Sequence, residues 1–292
     1  MMRNLATTVF ACLALGLCLQ PAGAQPDCGA SASVKGIAPL NAKCLVEKVA
    51  LSNSTVALKA AVLNPLASST IKRAPEFVAN FREASQKNAP TLVLLHGSGG
   101  NENSLMELAS KAAPGAALLG IRGRVVQDGI NRWYARHTAT SFDQDDIHSE
   151  ANAFAKFMTK AQKDYGIDLS NAIYLGYSNG ANLLAALSML HPDLVQRAAL
   201  LRPMMVLQKL PEVNLAKDSI LMVPGEADAT YGPFAPGLEQ ALSDKGAKVV
   251  ETTVNLGHLL GEADIGAVSD WLASFKGAPS DQKAITTASA EN

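Results

Sequence analysis

Two patterns of hydrophobic positions alternate along the chain from residue 91 onward. Short, continuous apolar runs are typical of strands buried on both faces, and stretches whose apolar residues recur every three or four positions are typical of amphipathic helices. The predicted strands are residues 91–95, 116–121, 172–177, 198–202, 219–223 and 248–253, and the predicted helices are residues 102–113, 145–165, 181–190, 237–243 and 265–275. This alternation predicts an α/β fold with a doubly wound, mostly parallel sheet and helices on both faces.

The stretches on either side of this region have weaker patterns. Residues 77–81 are mostly apolar and fit a half-buried edge strand, so we place the main domain at residues 77–277. Residues 46–63 have no clean period and fit either a helix or two short strands. We treat residues 25–76 as an N-terminal extension packed on the main domain. The small, polar residues 278–292 are predicted to be a disordered tail.

The first residues have the pattern of an export signal. A single charge at Arg3 precedes the apolar residues 5–19, and residues 22–24 offer the small-x-small site that signal peptidase reads. We therefore predict a signal peptide at residues 1–24 and an exported chain, periplasmic or secreted, after cleavage behind Ala24. A buried N-terminal helix is the alternative. No later stretch is long and apolar enough for stable membrane insertion to be expected.

The overall composition narrows the possible partners. The chain has 25 Lys and Arg against 26 Asp and Glu, for a net charge of −1. This balance gives no electrostatic reason to expect nucleic acid or an anionic membrane as a partner. Aromatic residues make up 5% of the chain, which argues against a carbohydrate-binding surface of many exposed rings. A length of 292 residues is enough for one large domain, and the sequence does not indicate the oligomeric state.

The cysteines suggest one covalent link and no metal site. Two of the four cysteines fall in the predicted signal peptide, and Cys28 and Cys44 remain. An even pair in an exported chain predicts one disulfide bond, worth about 3 kcal/mol in the chain-entropy treatment. Two free thiols are the alternative. No second pair of Cys or His lies at ligand spacing, so no metal is expected.

The candidate chemistry centres on a serine between a predicted strand and a predicted helix. An apolar run leads into a Gly-x-Ser-x-Gly motif at residues 176–180, and helix-forming residues follow. A sharp turn brings backbone atoms together, so a side chain at Gly176 or Gly180 would clash, and the turn lifts the Ser178 hydroxyl above the sheet edge. We predict that Ser178 is a nucleophile. An ordinary strand–helix turn containing a serine is the alternative.

A serine nucleophile needs a base, and the base needs an acid to orient it. In a sheet of this kind both come from loops after later strands, in the chain order Ser, Asp, His. His258 is the only histidine downstream of Ser178 that follows a predicted strand. Asp228 follows the strand at residues 219–223 and is the predicted acid, with Glu226 as the fallback. The alternatives are a structural histidine and a loop-capping aspartate.

Acyl transfer also needs N–H donors for the negative oxygen of the tetrahedral intermediate. The N–H after the nucleophile, that of Asn179, is one candidate. The other is the N–H of Ser98, in the glycine-rich loop at residues 96–100 after the first buried strand. His96 opens this loop and is expected to brace it rather than to transfer protons. The loop lacks the lysine ending and the glycine spacing of phosphate-binding loops.

Several stretches of the chain between residues 91 and 275 resemble the phospholipase/carboxylesterase family of α/β hydrolases, in its branch of small bacterial serine esterases. The matching stretches are residues 94–102, 131–134, 176–182, 200–204, 225–228 and 257–258. The most specific of them read Gly-Tyr-Ser-Asn-Gly-Ala-Asn and Leu-Leu-Arg-Pro-Met. The resemblance implies the α/β-hydrolase fold, a catalytic triad of Ser178, Asp228 and His258, and an oxyanion hole formed by the backbone of Ser98 and Asn179.

The chain departs from the family pattern beside the predicted site. Ala229 stands where the family usually has a proline after the acid, and Leu259 stands where a small or polar residue often follows the histidine. Both changes bear on substrate preference more than on the reaction. The candidates for the walls of the substrate pocket are Trp133, Tyr134, Tyr177, Tyr231 and Leu259, and for each of them a role in packing is the alternative.

These observations predict a serine hydrolase that cleaves carboxylic esters of small molecules, with short or medium acyl chains, through an acyl-serine intermediate. No cofactor is expected. A thioesterase, or a lysophospholipid or acyl-protein hydrolase on the same triad, is the alternative among enzymes. The alternative of another class is a non-catalytic binding protein on a hydrolase scaffold.

Overall fold

The computed structural model describes residues 69–87 and 89–276. The predictions for the signal peptide, for residues 46–63, for the Cys28–Cys44 bond and for the tail lie outside these residues. The described residues belong to one compact unit that begins at Ser69.

Strands and helices alternate along the described chain. The strands are β1 (Ile71–Arg73), β2 (Val78–Arg82), β3 (Thr91–Leu95), β4 (Ala117–Arg122), β5 (Val125–Gln127), β6 (Ile130–Arg132), β7 (Ile173–Tyr177), β8 (Arg197–Leu201), β9 (Ser219–Val223) and β10 (Lys248–Glu251). The helices are α1 (Met106–Ala112), α2 (Gln144–Tyr165), α3 (Asn179–Leu190), α4 (Ala235–Asp244) and α5 (Glu262–Lys276), with short 3-10 turns at Leu169–Asn171 and Gly232–Phe234. None of these helices is long and apolar enough to cross a membrane.

The main sheet has seven strands in the order β10-β9-β8-β7-β3-β4-β2. Neighbouring strands are parallel except at the edge, where β2 runs antiparallel to β4. The doubly wound, mostly parallel sheet predicted from the sequence is therefore confirmed, and the predicted edge strand lies at β2.

Alternate residues of the central strands pack into two separate cores. In β3, Val93 and Leu95 join the core that includes residues of α2, α3 and α4, whereas Leu92 and Leu94 join the core that includes residues of α1 and α5. Side chains of a strand alternate between the two faces of a sheet, so a continuous apolar run is what a strand covered on both faces requires.

A small antiparallel sheet of β1, β5 and β6 stands beside the main one. This sheet was not predicted from the sequence, although the Asp-Gly pair between β5 and β6 is a strong hairpin signal. Asp128 and Gly129 have φ values of 53° and 78°, as a tight two-residue turn of this kind requires. β1 lies in the stretch that we had placed in the N-terminal extension, and it pairs with β5 of the main unit.

Helix α1 starts at Met106, later than the residue 102 that its periodicity predicts. The preceding residues form a turn stabilised by their own side chains. Asn101 Oδ1 accepts a hydrogen bond from the Asn103 N–H, and the Asn101 N–H donates to Ser104 Oγ, both at 2.9 Å. Short polar side chains of this kind compete with helical hydrogen bonds, so the helix begins after them.

The strand directions place several loops at one edge of the main sheet. The parallel strands β3, β7, β9 and β10 end at the same edge, and the loops that follow them meet there. In open α/β sheets this edge is where ligands bind, and the predicted site residues lie in these loops.

Candidate active site

Ser178 lies at the turn between β7 and α3 in a strained backbone conformation. Its φ is 50° and its ψ is −113°, a region that residues other than glycine seldom adopt. A Cβ atom on Gly176 would lie 2.7 Å from Ala181 N, and one on Gly180 would lie 2.2 Å from Leu95 O. Backbone atoms cannot move aside as the end of a flexible side chain can, so the turn requires glycine at both positions.

The imidazole of His258 connects Ser178 to Asp228. His258 Nε2 is 3.0 Å from Ser178 Oγ, and His258 Nδ1 is 2.6 Å from Asp228 Oδ2. The other carboxylate oxygen of Asp228 accepts a hydrogen bond from the Tyr231 N–H at 3.0 Å. Glu226 is exposed to solvent. The structure thus brings the three predicted side chains together, with Asp228 rather than Glu226 at the histidine.

The surroundings of Asp228 favour its ionised form. Burial opposes the charge of the carboxylate, but hydrogen bonds from His258 and from the Tyr231 N–H outweigh burial and hold the pKa of Asp228 below its usual range. Because an ionised carboxylate only accepts hydrogen bonds, we assign the imidazole proton to His258 Nδ1. His258 Nε2 is then the acceptor for the Ser178 hydroxyl.

The loops that carry Asp228 and His258, the predicted acid and base, run side by side. The Ala227 N–H donates to Leu256 O at 3.0 Å, and Gly225 forms an isolated parallel bridge with Val254. A Cβ atom on Gly225 would lie 2.5 Å from Gly257 O. The absence of a side chain at Gly225 therefore lets the two loops approach closely enough for Asp228 to reach His258.

Arg202 is a buried residue for which the sequence analysis found no role. It follows β8 and is 2% exposed. Its Nη1 and Nη2 donate to the Asp264 carboxylate at 2.7 and 3.1 Å, its Nε donates to Gly257 O at 2.7 Å, and its Nη2 donates to Leu259 O at 3.2 Å. Because Gly257 and Leu259 flank His258, this guanidinium holds the loop that carries the base against α5.

Replacing Arg202 is expected to weaken both the fold and the placement of the base. In Arg202→Met the buried Asp264 carboxylate loses its partner, which costs about 3–5 kcal/mol of unfolding free energy. Urea denaturation measures this loss. The rate should also fall, with more change in kcat than in KM, because the substrate still binds while His258 is less well placed.

The double variant Arg202→Met/Asp264→Leu separates the two effects. Replacing both partners by apolar side chains should restore much of the stability, whereas the carbonyls beside His258 still lack their donor and kcat stays low. Arg82→Met, on the exposed end of β2, is the control. A single variant as stable and as active as the wild type would contradict this role of Arg202.

The N–H groups of Ser98 and Asn179 are free to bind an oxygen atom. Within the described residues neither N–H donates a hydrogen bond to another residue, and both residues line the pocket that contains Ser178. Asn179 is held from the side, since its Oδ1 accepts the Trp133 N–H at 2.8 Å. Two free N–H donors beside a serine hydroxyl suit an oxygen that develops negative charge.

His96 braces the loop that contains Ser98, as expected from the sequence. The Gly123 N–H donates to His96 Nε2 at 3.1 Å, so the ring proton is assigned to Nδ1, which lies 2.6 Å from Gly97 O. Burial lowers the pKa of His96 and so favours this neutral form. The Trp133 indole N–H donates to His96 O at 2.8 Å and fixes the loop from the other side.

Two of the predicted pocket residues lie beside the base. The Tyr231 ring is 4.7 Å from the His258 ring, centroid to centroid, and Tyr231 lines the pocket. The Tyr177 hydroxyl donates to His258 O at 3.0 Å, so Tyr177 supports the loop rather than forming a pocket wall.

The other three predicted pocket residues do not line the pocket that contains Ser178. Trp133 and Tyr134 are fully buried in the core, where Trp133 packs against Phe154. Their size and apolar character place them behind the pocket wall. Leu259 is 79% exposed, because its backbone carbonyl is held by Arg202 while its side chain points to solvent.

A small pocket with a cavity volume of about 30 Å³ contains Ser178. Its walls are Ser98, Arg132, Arg136, Ala139, Phe142, Asn179, Asn182, Arg202, Met204 and Tyr231. The sequence analysis did not identify the arginines of this wall, although Arg132 lies in one of the stretches that resemble the family. No cluster of His, Cys, Asp and Glu in the described part of the chain could hold a metal ion.

Comparison with known proteins shows what this chain is similar to. No protein-family profile matches the chain. The chain is 30% identical over 181 residues to MhqD of Bacillus subtilis (strain 168), which is named as a hydrolase, and the match covers 62% of this chain and 90% of MhqD.

Solved structures of two bacterial enzymes are similar to this one. The carboxylesterase from Mesorhizobium loti is 43% identical with a TM-score of 0.66, covering 70% of this chain and 98% of the other. The Bacillus cereus carboxylesterase is 28% identical with a TM-score of 0.65, covering 73% of this chain and 97% of the other. Each of these enzymes is thus matched over nearly its whole length.

Proposed function

This chain belongs to the phospholipase/carboxylesterase family of α/β hydrolases and is a carboxylic ester hydrolase, and we propose that it works through an acyl-serine intermediate on Ser178. The observation that carries this proposal is the chain of hydrogen bonds from Ser178 through His258 to Asp228, with distances of 3.0 and 2.6 Å. Because the chain is a carboxylic ester hydrolase, the alternative of a non-catalytic binding protein on a hydrolase scaffold is not retained.

In the acylation step, His258 Nε2 accepts the proton of the Ser178 hydroxyl while Oγ attacks the ester carbonyl carbon. The carbonyl oxygen becomes negative, and the N–H groups of Ser98 and Asn179 donate to it. The imidazolium then gives its proton to the leaving alcohol. Asp228 keeps the Nδ1 proton in place and stabilises the positive charge of the ring.

In the deacylation step, the same groups act on water. His258 Nε2 accepts a proton from a water molecule, which attacks the acyl carbon, and the same two N–H groups bind the second oxyanion. When the intermediate collapses, Ser178 Oγ takes back the proton and the carboxylic acid leaves. Apart from the ester and water, these two reaction steps use only groups of this chain.

The size of the pocket supports short acyl chains. A cavity of about 30 Å³ is far smaller than the several hundred Å³ usual for sites that enclose drug-sized ligands. Long acyl chains would have to lie partly outside it. We therefore expect the specificity constant to fall as the acyl chain grows.

A series of 4-nitrophenyl esters from acetate to dodecanoate tests this proposal, with each ester assayed with and without a fluorophosphonate. The expected result is kcat/KM about tenfold or more higher for the shorter half of the series, full inhibition by the phosphonate, and a phosphonylated peptide that contains Ser178. Modification of a different serine would contradict the mechanism. Undiminished kcat/KM for dodecanoate would contradict the short-chain preference alone.

A further inference from the structure

Arg132 places a positive charge in the wall of the pocket, and none of the residues 69–87 and 89–276 is its counterion. It ends β6, is 4% exposed, and lines the pocket that contains Ser178. Its Nη1 donates to Ser98 Oγ at 2.9 Å, and its buried Nε has no hydrogen-bond partner. No salt bridge joins Arg132 to a carboxylate of the described residues. A buried charge left in this state is costly, so buried charges are normally paired.

Arg202 lies in the same wall and, unlike Arg132, has both a counterion and hydrogen-bond acceptors for its guanidinium group. All three of its guanidinium nitrogens donate hydrogen bonds, and the buried Asp264 carboxylate balances its charge. The charge and the donors of Arg202 are therefore already used within the protein. Arg132 has one neutral acceptor, the hydroxyl of Ser98, in place of a carboxylate.

Arg136 adds a second positive charge to the same pocket. It is half-buried, and its side chain makes no hydrogen bond or salt bridge within the described residues. Its backbone is fixed, because the side chain of Gln127 accepts the Arg136 N–H at 3.0 Å and donates to Arg136 O at 2.8 Å. Burial and the charge of Arg136 both lower the pKa of Arg132, so the two cations act on each other.

The rest of the pocket wall does not supply the missing anion. Of the described residues, those that line it include no Asp or Glu. Asn182 is neutral, and its Oδ1 already accepts the Met204 N–H at 2.8 Å. The other walls are apolar or neutral.

From this juxtaposition we propose that Arg132 and Arg136 form a subsite for a carboxylate on the substrate, so that the preferred esters carry a negative charge close to the scissile bond. This inference rests on the proposed function of Ser178. A carboxylate fits because it is planar and can bridge two N–H donors of one guanidinium. The preferred substrates are then half-esters of dicarboxylic acids or esters of hydroxy acids.

Two pairs of esters test the subsite and place the carboxylate on one side of the scissile bond. The first pair is 4-nitrophenyl hydrogen succinate and its methyl-capped diester, which differ in charge on the acyl side. The second pair is 3-acetoxybenzoate and its methyl ester, which differ in charge on the alcohol side. Release of the phenol is measured, and Ser178→Ala gives the spontaneous background of each ester.

The wild-type enzyme is expected to prefer the charged member of at least one pair by about tenfold or more in kcat/KM, since charge-assisted hydrogen bonds are the strong ones. In Arg132→Gln and Arg136→Gln this ratio should fall toward one. The ratio is internal to each variant, so a general loss of activity cancels. Arg82→Gln, which removes a charge at the exposed end of β2, should keep the ratio.

The outcomes separate the subsite from the reaction. Hydrolysis of both members of each pair at equal rates, or an unchanged ratio in both arginine variants, would overturn the subsite and leave the mechanism standing. No enzymatic hydrolysis of any of the four esters would overturn the proposed function instead. Succinate should inhibit competitively at a lower concentration than inorganic phosphate, and the reverse order would overturn the assignment to a carboxylate. Arg136→Gln, at a half-exposed position, keeps the test valid if Arg132→Gln does not fold.

Discussion

Ser178→Ala is expected to give a folded protein whose turnover of 4-nitrophenyl esters falls by about 10⁴-fold or more. The variant removes only Oγ, the atom that lies 3.0 Å from His258 Nε2 and attacks the ester in the proposed mechanism. Alanine keeps the Cβ and meets the same backbone strain at a φ of 50°. The melting temperature should therefore stay within a few degrees of the wild type, and steady-state kinetics measures the loss of rate.

Ser188→Ala is the matched control for this variant. Ser188 lies on the same helix and is fully buried, and its hydroxyl donates to Ala185 O at 3.0 Å, away from the triad. This change should leave kcat/KM close to the wild-type value. If Ser178→Ala retained more than a few per cent of the activity, another group would have to be the nucleophile.

Asp228→Asn is expected to reduce turnover by about 10⁴-fold while the fold persists, as happens when the acid of a triad becomes an amide. In the wild type, Asp228 Oδ2 accepts the Nδ1 proton of His258 at 2.6 Å. An amide can turn its NH₂ group toward Nδ1, which favours the tautomer with the proton on Nε2. His258 could then no longer accept the proton of Ser178. The negative charge of the carboxylate, which stabilises the imidazolium, would also be lost.

Glu226→Gln makes the same chemical change two residues away and should stay within about tenfold of the wild-type rate. Glu226 is exposed, and among the described residues it is Asp228, not Glu226, that bonds to His258. The charge of Glu226 is therefore expected to have no part in the proton transfer. Thermal melting of both variants shows whether a loss of rate is a loss of fold. The opposite result, an inactive Glu226→Gln and an active Asp228→Asn, would move the role of the acid to Glu226. Two active variants would contradict the Ser-His-Asp mechanism as a whole.

The strands could be predicted because they depend on local sequence, and the candidate site residues could be proposed from one local turn and from the predicted topology. A strand covered on both faces must be apolar throughout, and β3 and β9 lie where continuous apolar runs predicted them. Ser178 was recognisable because its turn excludes side chains at two fixed neighbours. His258 and Asp228 followed from topology, since loops after parallel strands meet at one edge of the sheet.

The contacts of Arg202 could not be predicted in this way. Its partners at Gly257, Leu259 and Asp264 are more than 50 residues away along the chain. Nothing local distinguishes an arginine that will be buried in a bidentate ion pair from one on the surface. The Leu-Leu-Arg-Pro-Met stretch stood out only by its resemblance to the family.

The pocket walls were hard to predict for a related reason. Aromatic residues near the motifs were reasonable candidates, but Trp133 and Tyr134 are large and apolar enough to be drawn fully into the core. The arginines beside them occupy the wall instead. Along the short stretch from Arg132 to Arg136, some side chains face the core and others face the pocket. The sequence alone does not show which of them face the pocket.

In the proposed subsite, the residues that select the substrate lie on a different part of the chain from the residues that break the bond. Arg132, Arg136, Ala139 and Phe142 all come from one stretch of chain, the β5–β6 hairpin and the loop after it, whereas the three proposed catalytic side chains come from the loops after β7, β9 and β10. The stretch contacts the proposed oxyanion hole through the two Trp133 hydrogen bonds described above and through the bond from Arg132 to Ser98 Oγ. Substitutions in one hairpin can therefore redirect the enzyme toward other esters during evolution, while the atoms that cleave the bond remain in place.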